Sequence, residues 1–325
     1  MEPSSGCPVC GDRADGRPIL VRSGRPMTLW CCRACEFEFF IHDPTPQIAT
    51  DQADASRLNA VGMAIPPPEE DFANGLRQAA SYIGEYLDAS DGGRNVLEIG
   101  CSWGYFLKLA HEAGAVPYGV ELNAVRARHV RDHLGIPCDD SLDACERRSL
   151  RFKQIFLFYV LESIPQPLQY VRRLVTLLDQ DGRLVVITPS LRDPLKDLWQ
   201  NGGFLRFFYE ENSINYFSPK AVRRLCDRIN AGQVSVTTRQ GYSFANHMNW
   251  FLTNGPRTTG IVGGDNFVRN MIQQLSAQPR TAGEVTEFGA RADHLAKLIE
   301  EFDASYRRYL ESQDMGNQIR FTVRK

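Results

Sequence analysis

Residues 95 to 106, which read NVLEIGCSWGYF, constrain this chain more than any other stretch. An apolar-rich segment suited to a buried strand runs into a turn with Gly100 and Gly104, and a helical pattern begins at Tyr105. Glycines at such a turn let a ligand approach the backbone closely. The turn is not G-x-G-x-x-G, because the last two positions do not match, and no Gly-Lys-Ser/Thr follows as in a P-loop. A pyrophosphate seated on the helix N-terminus is therefore poorly supported. About twenty residues on, a second short strand ends in Gly119-Val120-Glu121, and an acid there accepts hydrogen bonds from ribose hydroxyls. A glycine turn with an acid-tipped second strand points to an adenosine-type ligand without a tightly held pyrophosphate. S-adenosylmethionine fits that description.

Around this motif strands and helices alternate. Strands are predicted over 95–99, 117–120, 154–160 and 183–188, with helices over 105–113, 124–134 and 167–178. Such alternation argues for a parallel sheet with helices on both faces. A helix over 69–88 precedes it. A helix over 219–229, a strand over 233–238 and a loop-rich stretch from 241 to about 265 follow. A long helix then opens with the capping box Thr281-x-x-Glu284, and residues 319–323 read as a last strand. The apolar positions of the long helix suit either packing on its own domain or a coiled-coil homodimer contact. The first is preferred because the pattern lasts only about three heptads.

The 325 residues are 43% hydrophobic and 23% charged, enough to bury a full-sized core without a disulfide framework. Lys and Arg number 37 against 39 for Asp and Glu, so no charge excess favours nucleic acid or an anionic membrane. No apolar run approaches the ~18 residues of a membrane span. The start MEPSSGCPVC has neither a basic nor an apolar stretch, so no signal peptide is expected, and the cytoplasm is the expected compartment.

Five of the nine cysteines lie in the first 35 residues. Cys7 and Cys10 form one C-x-x-C, and Cys32 and Cys35 form another, with Cys31 beside it. Two such pairs about twenty residues apart fit a structural zinc site of four thiolates, closed to water. Short strands at 19–21 and 27–30, joined around Gly24, complete a zinc-ribbon hairpin. The register of the second pair favours Cys32 over Cys31 as ligand.

The stretches LEIGCSWGYF and GVELN resemble motifs I and II of the class I S-adenosylmethionine-dependent methyltransferases. Residues 156 to 190 resemble that family's fourth strand, following helix and fifth strand, and NYFSPKAVRRL (215–225) its substrate-side loop and next helix. The cysteine pairs match a subgroup with a zinc ribbon ahead of the methyltransferase domain. That subgroup includes sugar C-methyltransferases and enzymes of surface-glycan or natural-product pathways, and GYSFANHMNWFL (241–252) resembles a segment of it. The resemblance implies an α/β, Rossmann-like seven-stranded sheet with helices on both faces, its last strand antiparallel. It divides the chain into a ribbon (1–45), a linker (46–68) and a methyltransferase domain (69–325) with an insertion over 241–312. It places Glu98 near the methionine end of the cofactor, with Gly100, Ser102 and Gly104 in the turn and Tyr159 alongside. Glu121 falls at the ribose, and Asp140, with Asp139 competing, at the adenine. Trp103 and Tyr105 either line the sulfonium pocket or belong to the core.

Methyl transfer is an in-line displacement, so much of its catalysis is alignment, but a hydroxyl or carbon acid must also lose a proton. Related sequences commonly read H-V-L-E-H-I after the fourth strand, where this chain reads Tyr159-Val160-Leu161-Glu162-Ser163-Ile164. A further histidine common before I-N-Y-F is Ser213 here. The remaining candidates for a base are Tyr159, Glu162, Tyr209, Tyr216 and His247. The implied function is methylation, on oxygen or carbon, of a small polar acceptor such as a sugar-like or natural-product intermediate. The alternative is a non-catalytic cofactor-binding or scaffold protein on the same fold.

Overall fold

The computed structural model describes residues 6–41, 69–87, 92–210, 213–229, 232–255 and 282–325. The 46–68 linker and the capping box begun by Thr281 lie outside these. The chain opens with three strands, β1 (Ala14–Leu20), β2 (Pro26–Cys32) and β3 (Phe37–Phe40), of which the sequence pattern revealed only the first two. Gly24 turns the first hairpin at φ 82°. Helix α1 (Glu69–Tyr86) comes next.

The alternating region follows: β4 (Asn95–Ile99), α2 (Tyr105–Glu112), β5 (Val116–Val120), α3 (Ala124–Leu134), then β6 (Cys138–Asp139) and α4 (Leu142–Arg147), which the sequence pattern did not reveal, and β7 (Phe152–Phe158). A 3₁₀ turn (Leu161–Ser163) leads to α5 (Pro167–Thr176) and β8 (Leu178–Pro189). Two short helices, α6 (Pro194–Asp197) and α7 (Gly202–Phe208), precede β9 (Asn215–Tyr216), α8 (Pro219–Asp227) and β10 (Val234–Arg239). The 241–265 stretch was expected to be irregular, but it carries a helix, α9 (Phe244–Thr253), whose N-terminus is capped by the Ser243 side chain on the Asn246 N–H. The two asparagines of that segment lower its helix propensity, and packing of Trp250 against Phe204 and Phe207 compensates. The long α10 (Ala282–Ser312) and β11 (Gln318–Arg324) end the chain.

Among the described residues the strands form two sheets. The larger has the order β10-β11-β8-β7-β4-β5-β6, parallel except for β11, which runs antiparallel between β8 and β10. This is the Rossmann-like arrangement, with helices on both faces. Strands β4, β7 and β8 read as near-continuous apolar runs because both of their faces are covered.

The smaller sheet has the order β1-β2-β3-β9. Its fourth strand comes from the region after β8, with Phe39 opposite Asn215 and Glu38 opposite Tyr216. The cysteine-bearing hairpin is therefore docked on the larger unit. Phe37 stacks between Phe39 and Phe217, and a single apolar cluster runs from Cys7, Val9 and Trp30 to Leu97, Ile155 and Val186. Helix α10 packs one stripe (Asp303, Tyr306, Leu310) on α9 and β10, while Leu295, Leu298, Phe302 and Tyr309 are exposed. None of the helices among the described residues is long and apolar enough to cross a membrane.

Candidate functional site

In a parallel sheet the loops at the carboxyl ends of the strands carry ligands. Here those ends bring together Gly100 to Gly104 after β4, Glu121 after β5, Asp140 after β6, and Tyr159 to Glu162 after β7. The turn after β4 folds back on β5, with the Gly100 N–H bonding the Val120 carbonyl at 2.7 Å. Gly100 and Gly104 adopt φ of 70° and 79°, which side chains rarely tolerate. A Cβ on Gly100 would lie 2.5 Å from Val160, and one on Gly104 would lie 2.6 Å from Leu134. Both glycines are thus required by the turn and its packing. Ser102, at φ 51°, turns its own N–H inward.

That N–H meets Glu121. The carboxylate accepts the Ser102 N–H on one oxygen and the Asn123 N–H on the other, each at 2.8 Å. Asn123 in turn caps α3 through the Val125 and Arg126 N–H groups. Glu121 is thereby fixed across the crevice between the first two strands. A carboxylate offers about four lone-pair sites, so two backbone bonds leave it able to accept two hydroxyls. Glu98 lies beside it in β4, and its Oε2 is buried with no hydrogen-bond partner. Burial, and secondarily the neighbouring Glu121, push its pKa well above the carboxylate range. An orphaned buried oxygen under a glycine turn, facing a fixed carboxylate, fits an adenosine-type ligand carrying polar groups. At the third strand the Asp139 carboxylate is engaged by Tyr118 and Arg148, whereas Asp140 next to it is exposed.

The aromatic residues of the turn pack elsewhere. Trp103 meets His129 edge-on and lies under Arg126, both on α3, and Tyr105 fills the space beside Gly75 of α1. His129 has both ring nitrogens buried in this contact.

The candidate bases separate by environment. Tyr159 sits at φ 58° just past β7, packed in the cluster that holds Tyr82, and burial pushes its phenol far above the ordinary range. Tyr209 donates to Glu38 of the cysteine hairpin at 2.5 Å, and Tyr216 exchanges hydrogen bonds with the Glu210 backbone. His247 has no exposed surface. Gln240 accepts the Asn317 N–H on its oxygen, so its amide nitrogen donates to His247 Nε2, and Nδ1–H meets the Tyr306 hydroxyl at 2.6 Å. Burial and then Arg307 lower this ring to about 4, and it stays neutral inside a network of α9, β10 and α10.

Glu162 differs from all of these. It lies in the 3₁₀ turn, 6% exposed, and accepts the Thr188 hydroxyl at 3.1 Å. Burial raises it to about 7, opposed by hydrogen bonds and assisted by Glu210. Thr188 and Tyr82 went unnoticed in the sequence, since one lies at the end of β8 and the other on α1, and only folding brings them to Glu162 and Tyr159.

At the other end of the chain, Cys7, Cys10, Cys32 and Cys35 place their sulfurs within 4.8 Å of one another and could hold a metal ion. Cys7 and Cys35 are 3.7 Å apart, and Cys10 and Cys32 are 3.5 Å apart. A tetrahedron with ~2.3 Å zinc–sulfur bonds has edges of ~3.8 Å, so zinc fits the cluster. Cys31 instead points at Glu38 on the opposite face of β2. Beside it a cleft of about 260 Å³ opens between the hairpin and the β8–α6 loop, lined by Cys31, Arg33, Glu38, Arg192, Lys196 and Asp197, among others.

A model of the methyltransferase domain family matches residues 72–235, half of the chain and all of the crevice just described. The chain belongs to the methyltransferase domain family. The matched region spans β4 to β9, so it includes every strand end that carries a candidate cofactor residue. No curated protein sequence matches this methyltransferase. Among solved structures it is similar to an S-adenosylmethionine-dependent methyltransferase from Archaeoglobus fulgidus at 13% identity and a TM-score of 0.47, over 79% of this chain and 97% of that one. It is also similar to the magnesium protoporphyrin IX methyltransferase of Synechocystis with bound S-adenosylhomocysteine (16% identity, 60% and 94% coverage, TM-score 0.44). A third likeness is to a cyclopropane synthase from Mycobacterium tuberculosis (18%, 77% and 84%, TM-score 0.42).

Proposed function

We propose that this methyltransferase transfers a methyl group from S-adenosylmethionine to a small polar acceptor, a sugar-like or natural-product intermediate. One observation carries the cofactor assignment: Glu121, held by two backbone N–H groups, faces the glycine turn above the unpartnered oxygen of Glu98. Bound S-adenosylmethionine would supply a sulfonium methyl group for in-line displacement. Glu121 would hold the ribose hydroxyls, Asp140 the adenine edge, and Glu98 the methionine end. The turn through Gly100, Ser102 and Gly104 would set the depth of the cofactor, with Tyr159 closing one side.

For the proton of the acceptor we assign Glu162. Near pH 7 it is divided between carboxyl and carboxylate, the condition in which a general base is most effective. Tyr159 would keep its proton, and His247 has both nitrogens engaged. Zinc held by Cys7, Cys10, Cys32 and Cys35 would be structural, since four thiolates leave no open position.

Calorimetry with S-adenosylmethionine and S-adenosylhomocysteine tests the reading. Both should bind, and Glu121→Ala should weaken binding by about tenfold or more, the usual loss for hydrogen bonds to a charged group. Unchanged affinity in that variant would remove Glu121 from the ribose.

A further inference from the structure

The turn that holds Glu162 has few bonds of its own. Within it the Ser163 N–H bonds the Val160 carbonyl and the Ile164 N–H bonds the Leu161 carbonyl. Three of its carbonyls accept hydrogen bonds from Ile214, just before β9, and Asn215, the first residue of β9. The Ile214 N–H donates to the Glu162 carbonyl at 2.9 Å. The Asn215 side-chain amide, 3% exposed, donates to the Leu161 carbonyl at 3.3 Å and to the Ile164 carbonyl at 2.5 Å. Asn215 thus spans the turn on both sides of Glu162.

The same two residues are bound from the other side by the cysteine hairpin. The Ile214 carbonyl accepts the Phe40 N–H at 2.9 Å, and Asn215 pairs with Phe39 in the small sheet. More contacts fasten the hairpin to the neighbouring segments. Ser218 donates to the Cys35 carbonyl, Arg228 donates to the Val9 carbonyl at 2.6 Å, and Arg22 pairs with Glu210. The Cys35 carbonyl belongs to one of the four clustered cysteines, so a short path leads from the metal cluster through β3 and β9 to the 3₁₀ turn.

We propose that Asn215 is a positioning residue, which clamps the turn bearing Glu162 and makes the placement of that carboxyl depend on the folded cysteine hairpin. The proposal rests on the assignment of Glu162 as the base. The physical reason for the arrangement is that a three-residue 3₁₀ turn is poorly stabilised by its own hydrogen bonds. The Asn215 amide satisfies the Ile164 carbonyl, an acceptor that would otherwise draw water into the site, and its second bond braces the Leu161 carbonyl on the other side of Glu162. Keeping water out is also what keeps Glu162 near neutrality, with Thr188 its one side-chain donor and Glu210 the facing carboxylate.

Two readouts on the full-length, metal-loaded protein test this without the acceptor. The first is amide hydrogen exchange by mass spectrometry on Asn215→Leu, which keeps the side-chain shape and removes both donors. Exchange in the segment 160–165 should rise by about tenfold or more, while segments 95–104 and 14–32 stay as in the parent. The second is a carbon-13 titration of glutamate-labelled protein, with the Glu162 signal identified by its loss in Glu162→Gln. In Asn215→Leu the midpoint should fall by about one unit or more toward an exposed glutamate, a change that a merely structural residue would not produce.

If Asn215→Leu does not fold, stripping metal from the parent protein with a chelator reads the same segment. Exchange at 160–165 should then rise together with that of 14–32. Unchanged exchange at 160–165 in either experiment overturns the positioning role, while a Glu162 midpoint near 7 would leave the base assignment standing. Conversely, a midpoint near the ordinary glutamate value in the parent overturns the base assignment, and with it this proposal.

Discussion

A carboxyl enclosed between β7 and β8 with one hydroxyl donor, as Glu162 is, binds its proton more tightly than an exposed glutamate. The unfolded chain loses that proton near 4.5 and the folded chain near 7. Between these values the folded state binds more protons, so stability is greatest below about 4.5 and falls as pH rises through about 7. Glu162→Gln should flatten this slope and gain on the order of 3 kcal/mol at neutral pH, read from urea midpoints across a pH series. His247 acts with the opposite sign. Its folded pKa of about 4 lies below the ordinary 6.5, so its contribution is present above 6.5 and lost on acidification toward 4. His247→Asn should remove that acid-side loss. Neither behaviour was legible in the sequence. Both residues could be named as candidate bases from their type and place, but type alone does not tell a histidine with both nitrogens engaged from a free one. Glu121 and the glycines were legible, because the turn and the strand tip are local in sequence.

At the scale of single elements, the turn between β4 and α2 shows why its glycines are not interchangeable with alanine. Gly104 combines a left-handed φ with contact against Leu134 and Val130 of α3. Gly104→Ala should cost about 3 kcal/mol, from left-handed strain of ~1–2 and overpacking of ~1–3, and lower the thermal midpoint measurably. Elements with a clear period were readable, and α3 falls on the residues expected of it. Elements without one were missed. Strand β9 is two residues long and pairs only with a strand from the opposite end of the chain, and β6 is equally short. Helix α9 carries polar residues on its buried side, where His247 and Asn249 face into the protein. Its pattern therefore reads as loop until its partners are known.

Across the whole molecule, the cysteine hairpin and the larger sheet share one apolar cluster and one strand. Phe37 sits at the join, stacked on Phe39 at 5.5 Å and tilted against Phe217 at 5.0 Å. Phe37→Ala should cost about 3–5 kcal/mol, as other buried phenylalanine truncations do. Because the two parts are joined in this way, urea unfolding of a variant that keeps Trp30 and carries Phe in place of the other three tryptophans, followed by fluorescence and by far-ultraviolet circular dichroism, should give coincident transitions. Separate transitions would show that the hairpin folds on its own. If the four cysteines hold zinc as proposed, metal removal should lower both midpoints together, since the hairpin has few buried residues apart from this shared core.

The Rossmann-like alternation of strands and helices, the glycine turn, the acid at the second strand tip and the paired cysteines can all be read from the chain. Each of these is written in residues close along the chain, where spacing and side-chain type carry the information. Which carboxyl is driven toward neutrality, the full engagement of His247, and the pairing of the hairpin sheet with β9 beside Glu162 follow from folding alone. Those outcomes depend on burial and on contacts between residues far apart along the chain, such as Arg228 with the Val9 carbonyl, and no local pattern encodes them.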